Sequence, residues 1–270
     1  MGDSLRGRRV LITGASSGLG KALAYVLARE GAELALAARR VELLDQFAAT
    51  PAVHGATIHT FYCDLAQPGA AAALVTQAEA AMGGLDLLIL NAGAVREEHL
   101  LDSDEQASRE MMEVNLWSGY AAMRAALPGM IERGSGHIAV ITSFCAYAHL
   151  PLSSVYSASK AAMASLSLVL ANELPRNIGV TLVYPGIIRT PMFDHVQREV
   201  PVMRKLAFLG IDPEPAARAV LHAVRRRKRR LYLTAAAKAM AFSMRLAPQW
   251  TDAAVAHIYR RLPSKWLGSL

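Results

Sequence analysis

The sequence predicts an α/β fold, a doubly wound parallel sheet of about seven strands in a single domain with extra C-terminal helices. Three observations predict it. Short apolar runs alternate with longer helical segments along most of the chain, the pattern of repeated βα units. A glycine-rich turn follows the first run at once and opens a helix, as a dinucleotide-binding unit requires. No linker or composition break divides these units, so one domain is expected, over 1–234, with 235–270 a helical extension of it.

Composition narrows the functional classes. The chain has 270 residues, 53% hydrophobic and 19% charged, which fits a globular protein with a substantial core and excludes a disordered one. No apolar run approaches the roughly 18 residues of a membrane-spanning helix, and Met1-Gly2-Asp3-Ser4-Leu5-Arg6 leads straight into a strand, so no secretory signal is expected. Cys63 and Cys145 are too few for a disulfide framework and have no metal-ligand spacing. Reduced thiols, no metal and a cytoplasmic location are therefore expected. Much of the net charge of +7 sits in one run, Arg225 to Arg230, so it describes a local patch.

In chain order, Arg9–Thr13 is the first strand, and Gly14-Ala15-Ser16-Ser17-Gly18-Leu19-Gly20 begins a helix running through Glu30. Gly14 permits the tight turn, Gly18 lets backbone approach a pyrophosphate, and Gly20 allows helix to pack on sheet, in the manner of a Rossmann-like site. Ser16, Ser17 and Leu19 belong to the same candidate phosphate turn. The second strand, Glu33–Ala37, ends in Ala38-Arg39-Arg40. An acid there would bond an NAD ribose; Arg39 instead suits a 2′-phosphate, so NADP(H) is expected over NAD(H). A third strand, Thr57–Tyr62, delivers Asp64 and Leu65, with Asp64 able to accept from adenine or to cap a helix beginning near Gln67. Leu87–Leu90 is a fourth strand, opening into Asn91-Ala92-Gly93 beside a cofactor ribose. The region 104–133 is helical with Asn115 in its middle, where a side chain that competes for backbone bonds predicts a local distortion. Gly136–Thr142 is the fifth strand and carries Ser143 to the sheet edge. A helix over 153–174, a strand over 180–184 and Pro185-Gly186 complete a sixth unit.

Tyr156 and Lys160 lie four apart on that helix, so they share a face. An isolated pair at this spacing is usually an ordinary helix surface. Here it follows Ser143 and Asn115, and a fixed cation beside the phenol is expected to lower its pKa, suiting Tyr156 to proton transfer.

These residues resemble the short-chain dehydrogenase/reductase family over about 7–191: Thr13 to Gly20, Asp64, Asn91-Ala92-Gly93, Asn115, Ser143, Tyr156 with Lys160, and Pro185-Gly186 with Thr190. The resemblance implies a hydride-transfer enzyme in which Tyr156 gives or takes the proton at the substrate oxygen, Ser143 holds that oxygen, and Lys160 bonds the nicotinamide ribose. Asn115 would support a water linking Lys160 to solvent. Cofactor contacts are expected from Gly14, Ser16, Ser17, Gly18, Leu19, Gly20, Arg39, Asp64, Leu65, Asn91, Ala92, Gly93, Tyr156, Lys160, Pro185, Gly186, Ile188 and Thr190. A homodimer or homotetramer, formed through the helices that carry Asn115 and Tyr156, is implied as well.

Substrate choice is expected to reside in an apolar lid over 187–211, including Met192, Phe193, Val202, Met203, Leu206, Phe208 and Leu209. The facing wall would be Cys145, Tyr147, Leu150, Pro151 and Leu152. Ser143, Cys145, Leu150, Tyr156, Met192 and Phe193 are the substrate-contact candidates; such walls suit a hydrophobic ketone or aldehyde and its alcohol, the alternative being that the apolar side chains pack on one another and say nothing specific of the ligand. His137 reads as structural. After a seventh strand, Arg230–Leu233, two helices over 235–246 and 249–262 resemble the longer tails of hydroxysteroid dehydrogenase-like members. The basic run reads as a solvated helix end, with peripheral contact to an anionic membrane through Phe242, Trp250 and Trp266 as the main rival reading and a partner contact as a further one. Nucleic-acid binding is not expected. A catalytically silent dinucleotide-binding regulator or scaffold is one competing function, against which the intact Asn115, Ser143, Tyr156, Lys160 set argues; a membrane-peripheral protein whose tail is the functional part is the other, and deletion of the tail would discriminate it.

Overall fold

A computed structural model of the chain describes residues 4–200 and 203–261. The expectations that fall on residues 1–3, Val202, Leu262 and Trp266 lie outside them. Among the described residues the strands are β1 (Arg9–Thr13), β2 (Glu33–Ala38), β3 (Ile58–Tyr62), β4 (Leu87–Leu90), β5 (Gly136–Ile141), β6 (Ile178–Tyr184) and β7 (Arg230–Tyr232). They form one parallel sheet in the order β3-β2-β1-β4-β5-β6-β7. The helices are α1 (Gly18–Arg29), α2 (Val41–Ala48), α3 (Ala70–Met82), α4 (Glu105–Met112), α5 (Ser118–Glu132), α6 (Ser154–Glu173), α7 (Pro191–Glu199), α8 (Met203–Leu206), α9 (Pro213–Arg225), α10 (Ala235–Leu246) and α11 (Pro248–Arg260).

Helices cover both faces of the sheet, which is why the central strands are continuously apolar. Along β1, Val10 and Ile12 join the core beneath α1, α2 and α9, while Leu11 joins the core beneath α3, α5 and α6. Successive strand side chains point to opposite faces, so both must be apolar. From β3 the chain returns across the sheet to β4, beside β1. The order of strands reverses at that point, and the crevice outside the carboxyl ends of β1 and β4 is where a doubly wound sheet holds its ligand.

Helix α9 adds to the sequence expectation. In α9, Ala216, Ala217, Val220, Leu221 and Val224 are all buried, one apolar stripe at helical spacing that packs on α1. Its far end is the basic run, of which Arg225 pairs with Glu30 and Arg229 donates to the Ala171 carbonyl at 2.9 Å. Arg227, at φ 50°, turns the chain toward β7. The run therefore ends a helix and ties it to its neighbours. Asp64 is a correction: α3 starts at Ala70, later than expected, and the Asp64 carboxylate accepts from the Ala66 amide at 3.2 Å, closing a turn instead of capping the helix. His137 is fully buried, bonded through Nε2 to Thr181 Oγ1 at 2.8 Å, and held neutral with its pKa lowered to about 3 by burial and the nearby Arg227 charge. This agrees with a structural role.

Candidate active site

The carboxyl ends of β1 and β4 are stapled together. Thr13 Oγ1 accepts from the Asn91 and Ala92 amides at 3.1 Å, and Asn91 Nδ2 donates to the carbonyls of Thr13 and Gly14 at 3.0 and 3.1 Å. The glycine turn lies against this staple. Gly14 has φ 67°, and a Cβ there would come within 2.8 Å of Ala92 Cα; a Cβ on Gly20 would meet the Gly14 carbonyl oxygen at 2.3 Å. Neither position can hold a side chain without moving backbone. The N-terminus of α1 has no side-chain cap and no acid in its first turn, so its leading amides and positive dipole end are available to an anion. This donor set fits a pyrophosphate.

The turn opens into a cleft of about 900 Å³, at the upper end of the range of small-molecule and cofactor sites. Every expected cofactor residue lines it except Gly20, which lies behind the turn: Gly14, Ser16, Ser17, Gly18, Leu19, Arg39, Asp64, Leu65, Asn91 to Gly93, Tyr156, Lys160, Pro185, Gly186, Ile188 and Thr190. Thr190 packs its methyl group toward Gly18, bringing the end of the β6 loop to the glycine turn. Arg40, which the sequence reading passes over for Arg39, also lines the cleft, and its guanidinium donates to Ser16 Oγ and Ser17 Oγ at 3.2 Å each.

The catalytic candidates converge from separate elements. The predicted distortion at Asn115 is a turn of π-helix over Glu113–Trp117, between α4 and α5. There Asn115 is buried; Oδ1 accepts from the Ala94 amide at 2.8 Å, while Nδ2 donates to the Ala94 carbonyl at 2.9 Å and to Ser159 Oγ at 3.0 Å. Asn115 thus clamps the loop after β4 to α6, and the solvent link that the resemblance implies stays a proposal. Thr142 Oγ1 donates to the Lys160 carbonyl at 3.0 Å, fixing α6 to the end of β5. Ser143 is buried, its hydroxyl oxygen held by the Cys145 amide at 3.1 Å and hydrogen-bonded toward Tyr156. Lys160 is 5% exposed, with Nζ 3.4 Å from the Ile141 carbonyl and 5.8 Å from the Tyr156 ring centroid.

The expected lowering of the Tyr156 pKa is not found. Burial raises it above the ordinary phenol value, with Cys145 and Glu97 adding to the rise and the Ser143 hydrogen bond opposing it. Lys160 is itself depressed to about 8 by burial, against a smaller raising effect of Cys145. Desolvation is the largest cause for both groups.

The walls depart partly from expectation. Cys145, Leu150, Pro151, Met192, Phe193 and Met203 line the cleft, but Tyr147, Leu152, Leu206, Phe208 and Leu209 do not. Tyr147 instead packs its ring, tilted by 38°, against the stacked pair Tyr184 and Tyr232, its hydroxyl donating to Tyr184 Oη at 3.0 Å. Leu152 has φ 69° in the tight turn before α6. Phe208 is 77% exposed, since the excursion closes on itself where Ile188 bridges Ile211. Missing from the sequence reading is Glu97, in the loop after β4, which lines the cleft and accepts from the Ser153 hydroxyl. No group of three or more metal-ligating side chains occurs among the described residues, and no helix of the described residues is long and apolar enough to cross a membrane.

A dinucleotide cleft with a proton-donor candidate at its nicotinamide end marks the class of NAD(P)-dependent oxidoreductases. The family profile described as short chain dehydrogenase matches residues 8–201, and the chain belongs to that family. It is 36% identical over 192 residues to a fatty acyl-CoA reductase of Mycobacterium tuberculosis, covering 70% of this chain and 65% of that one. It is 34% identical over 256 residues to the dehydrogenase/reductase SDR family member 7B of Mus musculus, covering 90% and 79%. The chain thus spans less than two thirds of the length of the first relative. Among solved structures, a metagenomic short-chain oxidoreductase in complex with NADP superposes with a TM-score of 0.72 at 29% identity, over 85% of this chain and 96% of that one. A short chain dehydrogenase/reductase from Burkholderia phymatum in complex with NAD shares the fold, with a TM-score of 0.84 at 23% identity over 92% and 96%.

Proposed function

We propose that the protein is an NADP(H)-preferring oxidoreductase that interconverts a hydrophobic ketone or aldehyde and its alcohol, with Tyr156 as general acid and base. The observation that carries this reading is the convergence of Ser143, Tyr156 and Lys160 on the nicotinamide end of a cleft whose other end is a glycine turn. The cofactor, when bound, supplies or accepts hydride at the substrate carbon. Ser143, its oxygen already anchored, holds the substrate oxygen in place. Tyr156 donates its phenolic proton as negative charge develops on that oxygen, and donors preplaced around a developing charge need no reorganisation. Its raised pKa keeps the proton on the phenol at neutral pH, the competent form for reduction. Lys160 supplies the local positive charge and a donor for the nicotinamide ribose. The apolar lid and wall favour a hydrophobic substrate, in line with a relative named for fatty acyl-CoA reduction. NADPH oxidation screened over ketones graded in chain length and ring content tests the reading, and inactivity throughout would reject it in favour of a silent cofactor-binding regulator.

For the cofactor, Arg39 and Arg40 supply the charge that a 2′-phosphate would meet, with Arg40 already oriented by Ser16 and Ser17. Arg39→Ala and Arg40→Ala are each expected to weaken NADPH about tenfold or more, the scale of a charge-assisted hydrogen bond, with little change for NADH. A wild-type preference for NADH would refute the assignment.

The helices that carry Asn115 and Tyr156 leave Trp117, Tyr120 and Val169 exposed, which supports self-association there as a homodimer or homotetramer. A cytoplasmic location is part of this reading. Peripheral membrane contact is favoured by one observation: α10 and α11 expose Phe242, Leu246, Trp250 and Ile258 with Lys238 and Arg245 among them, an apolar and basic surface suited to anionic lipid. Co-sedimentation with anionic but not neutral liposomes is the expected result, and equal recovery from both would remove the membrane contact.

A further inference from the structure

Beside the apolar wall of the cleft stands one half-buried carboxyl, Glu97; other charged side chains nearby on the lining include Arg96, which pairs with Glu98 at 3.6 Å, and Glu110. Glu97 stands there between the loop after β4 and the start of α6, and three contacts fix its position. The Glu98 amide donates to the Leu152 carbonyl at 2.8 Å, Asn115 grips the backbone of Ala94, and the Ser153 hydroxyl donates to Glu97 Oε2. Ser153 is buried and occupies the N-cap position of α6, three residues before Tyr156, and side chains three apart on a helix are neighbours, with Cβ atoms about 5–6 Å apart. The Ser153 bond thus places the carboxyl at the start of the helix that carries Tyr156, and its charge is felt by both Tyr156 and Cys145. A carboxyl at this place is costly to bury, and the Ser153 bond engages only one of its two oxygens. Burial raises its pKa to about 7, against the Ser153 hydrogen bond.

We propose that Glu97 determines substrate specificity: it accepts a hydrogen bond from a hydroxyl placed one or two carbons from the reacting carbonyl, and it repels substrates that carry a carboxylate there. The inference rests on the oxidoreductase reading above and narrows it. The substrate class becomes an otherwise apolar α- or β-hydroxy ketone, or the matching diol in the reverse direction. No step of the hydride transfer passes through Glu97; it selects and orients.

The test is run at a pH at least about one unit above the Glu97 pKa of about 7, where its carboxyl is ionised, and compares three compounds of equal chain length: a linear methyl ketone, its hydroxy ketone and its keto acid. The wild type is expected to favour the hydroxy ketone over the methyl ketone by about tenfold in kcat/KM, the scale of a hydrogen bond to a charged group, and to discriminate against the keto acid. Glu97→Gln should shrink the first ratio and relieve the second. Binding of an unreactive amide isostere of each compound, measured by calorimetry, should follow the same order without turnover. Ser153→Ala removes the tether and keeps the carboxyl, so it should retain rejection of the keto acid. If Glu97→Gln leaves the ratios unchanged, or if Ser153→Ala loses the discrimination equally, the carboxyl is only a strut between loop and helix and the inference fails. A wild type that reduces the methyl ketone with no preference overturns the Glu97 assignment alone. One that reduces none of the three, and no ketone of the wider screen, overturns the oxidoreductase reading together with it.

Discussion

Tyr156→Phe is expected to lower carbonyl reduction about 10²- to 10⁴-fold, the usual contribution of a positioned general acid, while cofactor affinity changes little. The substitution removes one oxygen and its proton and leaves the ring, so the packing of α6 against the cleft persists. Ser143, in its proposed role, is expected still to hold the substrate oxygen, because its own oxygen is fixed by the Cys145 amide and not by the phenol. What disappears is the donor at the moment charge develops. The loss should therefore fall on kcat, with the KM for NADPH nearly constant, and single-turnover hydride transfer should slow by the same factor. A Phe variant with near-normal turnover would refute the proton-transfer role.

Much of this site is legible in the sequence because its parts are local. The glycine turn announces itself by spacing, and its two crowded glycines are readable since close approach of backbone excludes every other residue. Asn115 is a poor helix-interior residue, and the distortion it predicts is found as a π turn. The central strands are legible since a sheet covered on both faces needs unbroken apolar runs. The harder features depend on contacts between distant residues. Arg40 becomes distinguishable from Arg39 only through Ser16 and Ser17, 24 and 23 positions away. Glu97 meets Ser153 across 56 positions, and nothing in its own neighbourhood marks it. Tyr147 reads as a wall residue until its aromatic partners on β6 and β7 are in place. The sign of the Tyr156 shift was equally hidden, because a cation four residues away is a sequence fact and burial is not.

Lys160→Met is expected to abolish most activity and to stabilise the fold at the same time. The lysine is nearly inaccessible, and burial lowers its pKa from 10.5 to about 8. A folded value below the unfolded one means that folding disfavours the charged form. The cost is present in full below about pH 8, where the side chain is charged in both states, and fades as pH rises toward 10.5, where the unfolded lysine also loses its proton. A shift of this size corresponds to about 3 kcal/mol at most, since one unit is about 1.4 kcal/mol. Met fills similar volume without the charge, so at pH 7 a gain of about 1–3 kcal/mol, or roughly 2–10 °C in Tm for a domain of this size, is expected. That gain should shrink when the melt is repeated near pH 10. Turnover is expected to move the other way, because the positive charge near Tyr156 and the proposed donor for the nicotinamide ribose are both lost, and a fall of at least about 10²-fold is expected on the scale of a removed electrostatic contact. A variant that is less stable than wild type at pH 7, or equally shifted at both pH values, would show that Lys160 is held by interactions stronger than its desolvation. In the proposed mechanism stability and catalysis make opposite demands on this one side chain, and the burial that depresses its pKa is the cost of placing a cation 5.8 Å from the Tyr156 ring centroid.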